Sequence, residues 1–277
     1  MPRAAWLLAG LIPQDAPASA AQTSSARRVP AMKLPASPTR SQHERGATKR
    51  RILEAAERLF LKHGFEATSM RAITTLARVN LAAVNYHFGS KEALFTQILT
   101  RRLDPMMNDR HRLLIHLRNL PADTPLLVER LIAAMFLPAL ALARDPERGG
   151  EDFLKFLGRA FADPSPFVQR LLAERYSGIN ELFKEAFSRA LPEQPPEQLA
   201  MRLHFILDAV AATLASEDAR RLMSALAARS PGGAEDDVAF LAHFAPFLAA
   251  ALRASGGSTE QRAAIQDVHR VLLTQPI

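Results

Sequence analysis

Within the twelve residues from Asn80 to Lys91 the sequence sets four hydrogen-bonding side chains that suit a polyanion: Asn85, Tyr86, His87 and Lys91. Asn85 offers a paired donor and acceptor matched to an adenine edge. Tyr86 and His87 carry a hydroxyl and an imidazole that can donate to phosphate, and Lys91 adds an ammonium. Ahead of them stand Leu81, Ala82 and Ala83, uncharged and mostly small. A helix that enters a groove about 12 Å wide needs such a slim outer face, and alanine methyls can meet thymine methyls there. The same residues allow plainer roles: Tyr86 and His87 could pack a helix end, Asn85 could cap or bridge water, and Lys91 could be solvated surface.

Other chemistries find less support. The chain has no Cys, so thiolate catalysis, thiolate metal sites and disulfides are excluded. Of its His residues, His111 and His116 are five apart, and His63, His204, His243 and His269 are isolated. None has the i, i+4 spacing of a helical metal pair. There is no Gly-rich phosphate loop, no Gly-x-Ser-x-Gly elbow and no His-Glu-x-x-His. The expectation is a protein with no catalytic residue, no metal and no cofactor. The remaining enzyme reading is a helical catalyst with an appended DNA-binding domain.

The elements that must position Asn85 to Lys91 are short helices with clear punctuation. Ile52, Leu53, Ala55, Ala56, Leu59 and Phe60 follow the i, i+3, i+4, i+7 spacing of one helix face, with order beginning near Thr48. Lys49, Arg50, Arg51, Glu54, Glu57, Arg58 and Lys62 fall mainly on the opposite, solvent face. His63-Gly64 ends this helix, and Phe65 folds back onto the core. Thr68 or Ser69 caps a second helix whose inner stripe is Met70, Ile73, Thr74 and Ala77. After a turn at Arg78-Val79, Asn80 caps a third helix, Leu81 to Phe88, with Val84 and Phe88 inward. Gly89-Ser90 recaps the chain into a helix from Lys91 to Arg102, whose first turn brings Lys91 and free N–H groups to one phosphate. Two short helices joined by a tight turn describe a helix-turn-helix.

Beyond Pro105 the pattern predicts helices near 106–119, 125–143, 151–162, 166–190, 196–216, 217–229 and 235–254, then a polar tail 255–277 with a short helix at 259–273. There is no alternating strand pattern, so the fold class is all-α. The division is a tail over 1–43, a helix-turn-helix domain over 46–106, and an effector-binding and dimerisation domain over 107–254. The tail is read as disordered or as a misassigned start, with Met32 as the other initiator. Its Arg3, apolar Ala4–Ile12 and Ala18-Ser19-Ala20 mimic a secretory signal, but nothing extracellular follows. No apolar run reaches the roughly 18 residues that span a bilayer; a cytoplasmic protein is expected.

Charge agrees with a polyanion partner at the front. Residues 1–43 carry five basic and one acidic residue, 44–118 fourteen and seven, and 119–277 sixteen and twenty, so the net charges are +4, +7 and −4.

These residues resemble a known family. The run Ile52-Leu53-Glu54-Ala55-Ala56, Leu59-Phe60, His63-Gly64-Phe65, Thr68-Ser69-Met70-Arg71-Ala72-Ile73 and Asn80 through Leu94 is similar to the TetR family DNA-binding domain, over about 46–106. Its most recognisable stretch is Tyr86-His87-Phe88 followed by Ser90-Lys91-Glu92-Ala93-Leu94. The resemblance implies a three-helix DNA-binding domain, a larger helical ligand-binding and dimerisation domain, and a homodimer on an inverted-repeat operator that ligand releases. It implies DNA contacts from Thr68, Ser69, Arg71, Asn80, Leu81, Ala82, Ala83, Asn85, Tyr86, His87 and Lys91. Many members carry an aromatic at the position of Asn85 and Lys or Arg at that of Leu81, so base-contact rules do not transfer to these two. Further back, Asp152 to Phe161, Arg202-Leu203-His204-Phe205 and Ala245 to Ala250 resemble regulators of the fatty-acid-responsive PsrA kind. That implies a small apolar effector, a fatty acid or acyl-CoA, near Phe153, Phe156, Arg159, Phe183 and His204. A plain core role for these aromatics, an unrelated apolar effector, and activation instead of repression stay open at this point.

Overall fold

The computed structural model describes residues 40–121, 124–150, 152–215 and 234–274. Among these residues every regular element is a helix: α1 (Arg40–Ala67), α2 (Met70–Ala77), α3 (Leu81–Phe88), α4 (Lys91–Arg118), α5 (Val128–Arg144), α6 (Asp152–Ala162), α7 (Pro166–Ala190), α8 (Pro196–Ala215), α9 (Ala234–Arg253) and α10 (Thr259–Thr274). The tail of residues 1–39 and the helix expected over 217–229 lie outside the described residues. α1 starts at Arg40, earlier than Thr48. The two helices expected on either side of Pro105 are one, α4, with Pro105 inside it. A proline there removes one helical hydrogen bond to the Arg101 carbonyl. The buried stripe Leu94, Ile98, Leu99, Leu103, Met106, Met107, Arg110 and Leu114 runs on through it, and packing of that stripe overrides the local penalty.

The front helices close on Ile52, Ala56 and Phe60 of α1, Ile73 of α2, Val84 of α3 and Leu94, Phe95 and Ile98 of α4, all essentially inaccessible to solvent. Phe95 receives Phe60 edge-on at 5.3 Å and Phe65 edge-on at 4.8 Å, a favoured arrangement for aromatic rings. This core does not stop at the end of the front helices. It continues through Phe156, 5.6 Å from Phe60, to Phe153, Leu157, Leu172 and Tyr176 of α6 and α7. A second cluster joins Leu114, Leu131, Met135, Phe183, Phe187, Leu199 and Leu248 farther back. α9 is tied to α5 at both ends, by Arg144 to Asp237 at 2.7 Å and by Arg253 to Glu129 at 2.8 and 3.2 Å.

Glu57 departs from the expected solvent face. It is only 5% exposed and faces α4. Its carboxylate accepts from Arg101 Nη2 at 2.7 Å and from Arg102 through Nε at 2.7 Å and Nη2, while Arg102 Nη1 donates to the Gly149 carbonyl at 3.3 Å. Helical periodicity placed Glu57 outward; two arginines 44 and 45 residues away turn that flank of α1 into an interior one. α1 itself breaks at Gly64, where φ is 80° and ψ 178°. The positive φ expected of a helix-ending glycine is present, although ψ lies far from the left-handed helical value. A Cβ on Gly64 would lie 1.9 Å from Arg159 Nη2 and 2.9 Å from Asp163 Oδ2. Beyond it, buried Asp163 accepts from Phe65 N at 3.1 Å, Ser165 Oγ donates to Glu66 at 2.6 Å, and the Phe65 and Phe167 rings stack at 4.7 Å.

Glu57→Ala leaves the half-buried Arg102 guanidinium without its carboxylate and frees the more exposed Arg101, and is expected to cost about 2 kcal/mol. Urea unfolding should show a lower midpoint at unchanged slope, and a milder loss for Glu57→Gln, which retains an acceptor. An unchanged midpoint for Glu57→Ala would show that the clamp contributes nothing.

Candidate nucleic-acid interface

Three side-chain caps within 22 residues set the geometry of the front helices. The Ala72 N–H donates to Ser69 Oγ at 3.1 Å, the Ala83 N–H to Asn80 Oδ1 at 2.8 Å and the Ala93 N–H to Ser90 Oγ at 3.1 Å. Each satisfies one of the donors that a helix start leaves free. The turn between α2 and α3 is made by Arg78 in the left-handed region, at φ 53° and ψ 51°. Its N–H and that of Val79 return to the Thr75 and Thr74 carbonyls at 3.3 and 3.1 Å. Gly89, at φ 77° and ψ −60°, makes a different turn between α3 and α4, one that a residue with a side chain rarely adopts.

With Val84 buried and Phe88 half-buried, α3 turns its other side outward. Leu81, Ala82, Asn85 and Tyr86 are exposed, Tyr86 to 73%, whereas Ala83 and His87 are half-buried. The Tyr86 and His87 rings meet edge-on at 5.3 Å, so each restricts the other's rotamers. Lys91 is half-buried at the start of α4. Its Nζ lies 4.2 Å over the Phe65 ring and donates to the Glu66 carbonyl at 3.3 Å, which holds the ammonium beside the turn that links α1 to α2.

Most residues named from the sequence for this face are brought together, with one correction. Thr68 is 1% exposed and its hydroxyl donates to the Gly64 carbonyl at 2.7 Å. That hydroxyl closes the end of α1 and cannot reach DNA. Ser69 and Asn80 are occupied as caps yet remain at the surface, and Arg71 is exposed on α2. A cleft of about 400 Å3 runs between α3 and the start of α1, lined by Glu44, Arg45, Thr48, Asn80, Ala82, Ala83, Tyr86 and His87. Arg45 and Thr48 were missed in the sequence because they precede the first apolar residue of the helical stripe. The cationic run Arg45, Lys49, Arg50, Arg51 was the signal available.

The residues named for an effector are dispersed. Phe153 and Phe156 belong to the cluster shared with the front helices, and Phe183 to the rear cluster. Arg159 lies against Gly64 and forms an ion pair with Asp163 at 3.8 Å. His204 on α8 faces Asp208 at 3.4 Å. Among the described residues no three His, Cys, Asp or Glu side chains gather into a cation site, and no helix is long and apolar enough to cross a membrane.

Two family models match the chain. That for bacterial regulatory proteins of the tetR family covers residues 52–98, and that for the tetracyclin repressor-like C-terminal domain covers 133–251. The HTH-type transcriptional repressor NicS of Pseudomonas putida is 44% identical over 52 residues, which are 19% of this chain and 24% of that protein. The HTH-type transcriptional regulator UidR of Escherichia coli is 26% identical over 184 residues, 65% of this chain and 87% of that protein. The HTH-type transcriptional repressor KstR of Rhodococcus jostii is 28% identical over 155 residues, 55% of this chain and 65% of that protein. Among solved structures, Salmonella enterica GusR aligns at a TM-score of 0.43 and 23% identity over 75% of this chain and 96% of that one. Mycobacterium smegmatis AmtR aligns at 0.47 and 20% over 80% and 94%. With family models matching both its front and its rear, the chain belongs to the TetR family of transcriptional regulators, which are DNA-binding proteins and not enzymes.

Proposed function

We propose that this protein is a cytoplasmic, ligand-responsive repressor that binds an inverted-repeat operator as a homodimer and releases it on binding a fatty acid or acyl-CoA. The observation that carries the DNA-binding half is the capped helix α3, whose outward face is slim and uncharged and is rimmed by Tyr86, His87 and Arg45. In this reading α3 lies in the major groove. Asn85 addresses a base edge, Leu81, Ala82 and Ala83 make apolar contact, and Ser69, Arg71, Asn80, Tyr86, His87 and Lys91 hold the flanking phosphates.

The dimer is assigned to α8 and α9. α8 leaves Met201 and Phe205 exposed and α9 leaves Val238 and Phe247 exposed, so two copies can bury these residues in a four-helix bundle. Two-fold symmetry then sets two copies of α3 on half-sites one DNA turn or a multiple of it apart, about 34 Å for a single turn. The acyl effector is supported by the short rear-domain resemblances and the apolar character of both clusters. A route to the DNA reader exists at the α6–α7 corner, where Asp163, Ser165 and Phe167 contact Phe65 and Glu66, next to Lys91. Effector binding acts only through unequal affinity for the two states of that corner.

Selection from random DNA with the purified chain is expected to return an inverted repeat, and enrichment without two-fold symmetry would overturn the homodimeric operator reading. Asn85→Ala should relax preference at one position in each half-site, costing about 1–3 kcal/mol on the best sequence. An unaltered selected motif would remove Asn85 from base reading. Arg45→Ala and Lys91→Ala should weaken binding to all sequences alike and lower the slope of log K against log salt by about 0.9 for each lost phosphate contact. Fluorescence anisotropy across a salt series reads this directly, and an intact slope would cancel the corresponding assignment.

A further inference from the structure

The buried stripe of α4 contains one charged residue. Arg110 is 9% exposed and lies between Met107 and Leu114 in the stripe. Its Nε donates to the Met135 carbonyl at 2.8 Å, and Nη1 faces the Met107 sulfur at 3.7 Å. Met135 stands three residues before Pro138 in α5, where a proline ring crowds the preceding turn and tilts its carbonyls out of the ladder. This contact accounts for Nε and leaves the outer fork of the guanidinium, the part that grips a carboxylate, with only a thioether among the described residues. Arg102, Arg175 and Arg253 each rest on a carboxylate. Among the described residues no such group pairs with Arg110, and burial lowers its pKa to about 10 with no opposing charge to restore it. At neutral pH the group is still a cation, in a place where an uncompensated cation is costly.

Arg110 also sits on a seam. On α4, Met107 belongs to the front cluster and Leu114 to the rear one. On α5 the division falls between Met135 and Ala139, and on α7 Ile179 packs against both clusters. On α8 Leu207 packs against the rear cluster and Val210 against the front. Two further polar atoms with no hydrogen-bond partner lie on helices that the seam crosses, Asn180 Nδ2 next in sequence to Ile179 on α7 and His204 Nδ1 three residues before Leu207 on α8. A boundary between two apolar clusters, walled by adaptable methionines and carrying a few unfilled polar groups, has the composition of a ligand site.

We propose that Arg110 anchors the anionic head of the effector, an apolar carboxylate whose body lies along the seam between the two clusters. The planar fork can donate two parallel hydrogen bonds to a carboxylate, and the ligand supplies a counter-charge that no described residue supplies. Because Arg110 and Lys91 ride on the same helix, pairing at Arg110 bears on the start of α4, where the DNA reader is held. The inference rests on the ligand-responsive reading above and adds Arg110, which was not among the residues named for an effector from the sequence.

The test compares wild type, Arg110→Met and Arg110→Lys by thermal melting and by release of the selected operator, with octanoate, oleate, benzoate and methyl oleate as probes. Carboxylates should raise the melting temperature of the wild type and release DNA, with methyl oleate at least tenfold weaker than oleate. Without ligand Arg110→Met should melt no lower than wild type, since it removes an unpaired buried charge, and it should need at least tenfold more carboxylate for release. Arg110→Lys, which keeps the charge and loses the fork, should show the same loss. The assignment is overturned if Arg110→Met retains the full carboxylate response, if no carboxylate acts on the wild type, or if both variants melt far below it. That last result would assign Arg110 to the Pro138 turn alone. Equal release by oleate and methyl oleate in wild type and Arg110→Met would keep the acyl reading and remove Arg110. Release by benzoate and not oleate, lost in Arg110→Met, would keep Arg110 and remove the acyl chain.

Discussion

Glu57 is an acid on α1, and it holds two consecutive arginines of α4, the helix that runs from the front of the molecule into the rear. A carboxylate this deeply buried must be paired, because its charge would otherwise sit in a medium that solvates it poorly. Arg101 and Arg102 supply the pairing, and Arg102 passes the connection on to the Gly149 carbonyl between α5 and α6. α1, α4 and the α5–α6 turn therefore meet at one ionic node. The orientation of α4 relative to α1 sets where the first turn of α4, with Ser90 and Lys91, lies against the front helices. The placement of the reader helix depends on this node as much as on its own caps.

α4 is the element that both halves share. From Lys91 to Arg110 it runs 19 residues, about 28 Å of helix, with Pro105 removing one rung on the way. The neighbouring residue is braced from outside. Asp104 accepts from Arg175 at 2.6 and 3.0 Å and from Tyr176 at 2.8 Å. Burial works against ionisation of this carboxyl, but the hydrogen bonds from Arg175 and Tyr176 outweigh it and hold the group below the usual carboxylate range. α7 thus supports α4 at its weakest turn, and the helix can behave as one body despite the proline.

The caps and short helices at 69–93 were legible in the sequence because their causes are local. Ser69, Asn80 and Ser90 each bond to an N–H three residues ahead, and the apolar periods that follow are complete within two turns. What local patterns could not show was which charged residues face inward. Glu57 read as a surface charge and Arg110 drew no reading at all, and their burial comes from partners or neighbours on other helices. Thr68 read as a cap and is instead the lock on Gly64. Pro105 read as a boundary, because the penalty is written in one residue while the compensating stripe is spread over 21. The aromatics of α6 and α7 were recognisable as interior, but periodicity does not say which of two clusters an interior ring joins. For that reason Phe153 and Phe183, grouped in the sequence, lie apart in the fold.

Gly64 brings the front helices within touching distance of Arg159 and Asp163, whose side chains would have to move to admit a methyl group. The two halves meet closely at Gly64 as well as through shared rings, hydrogen bonds and a common helix. A front domain of this design is not a free cassette. Grafted onto the rear of another regulator, it would need a matching recess and a carboxylate to receive the Phe65 N–H, or the graft would rebind DNA with its control severed. On the proposed reading, exchange of DNA specificity is easier by changing Asn85 and its neighbours on α3, which face away from that joint, than by shuffling whole domains.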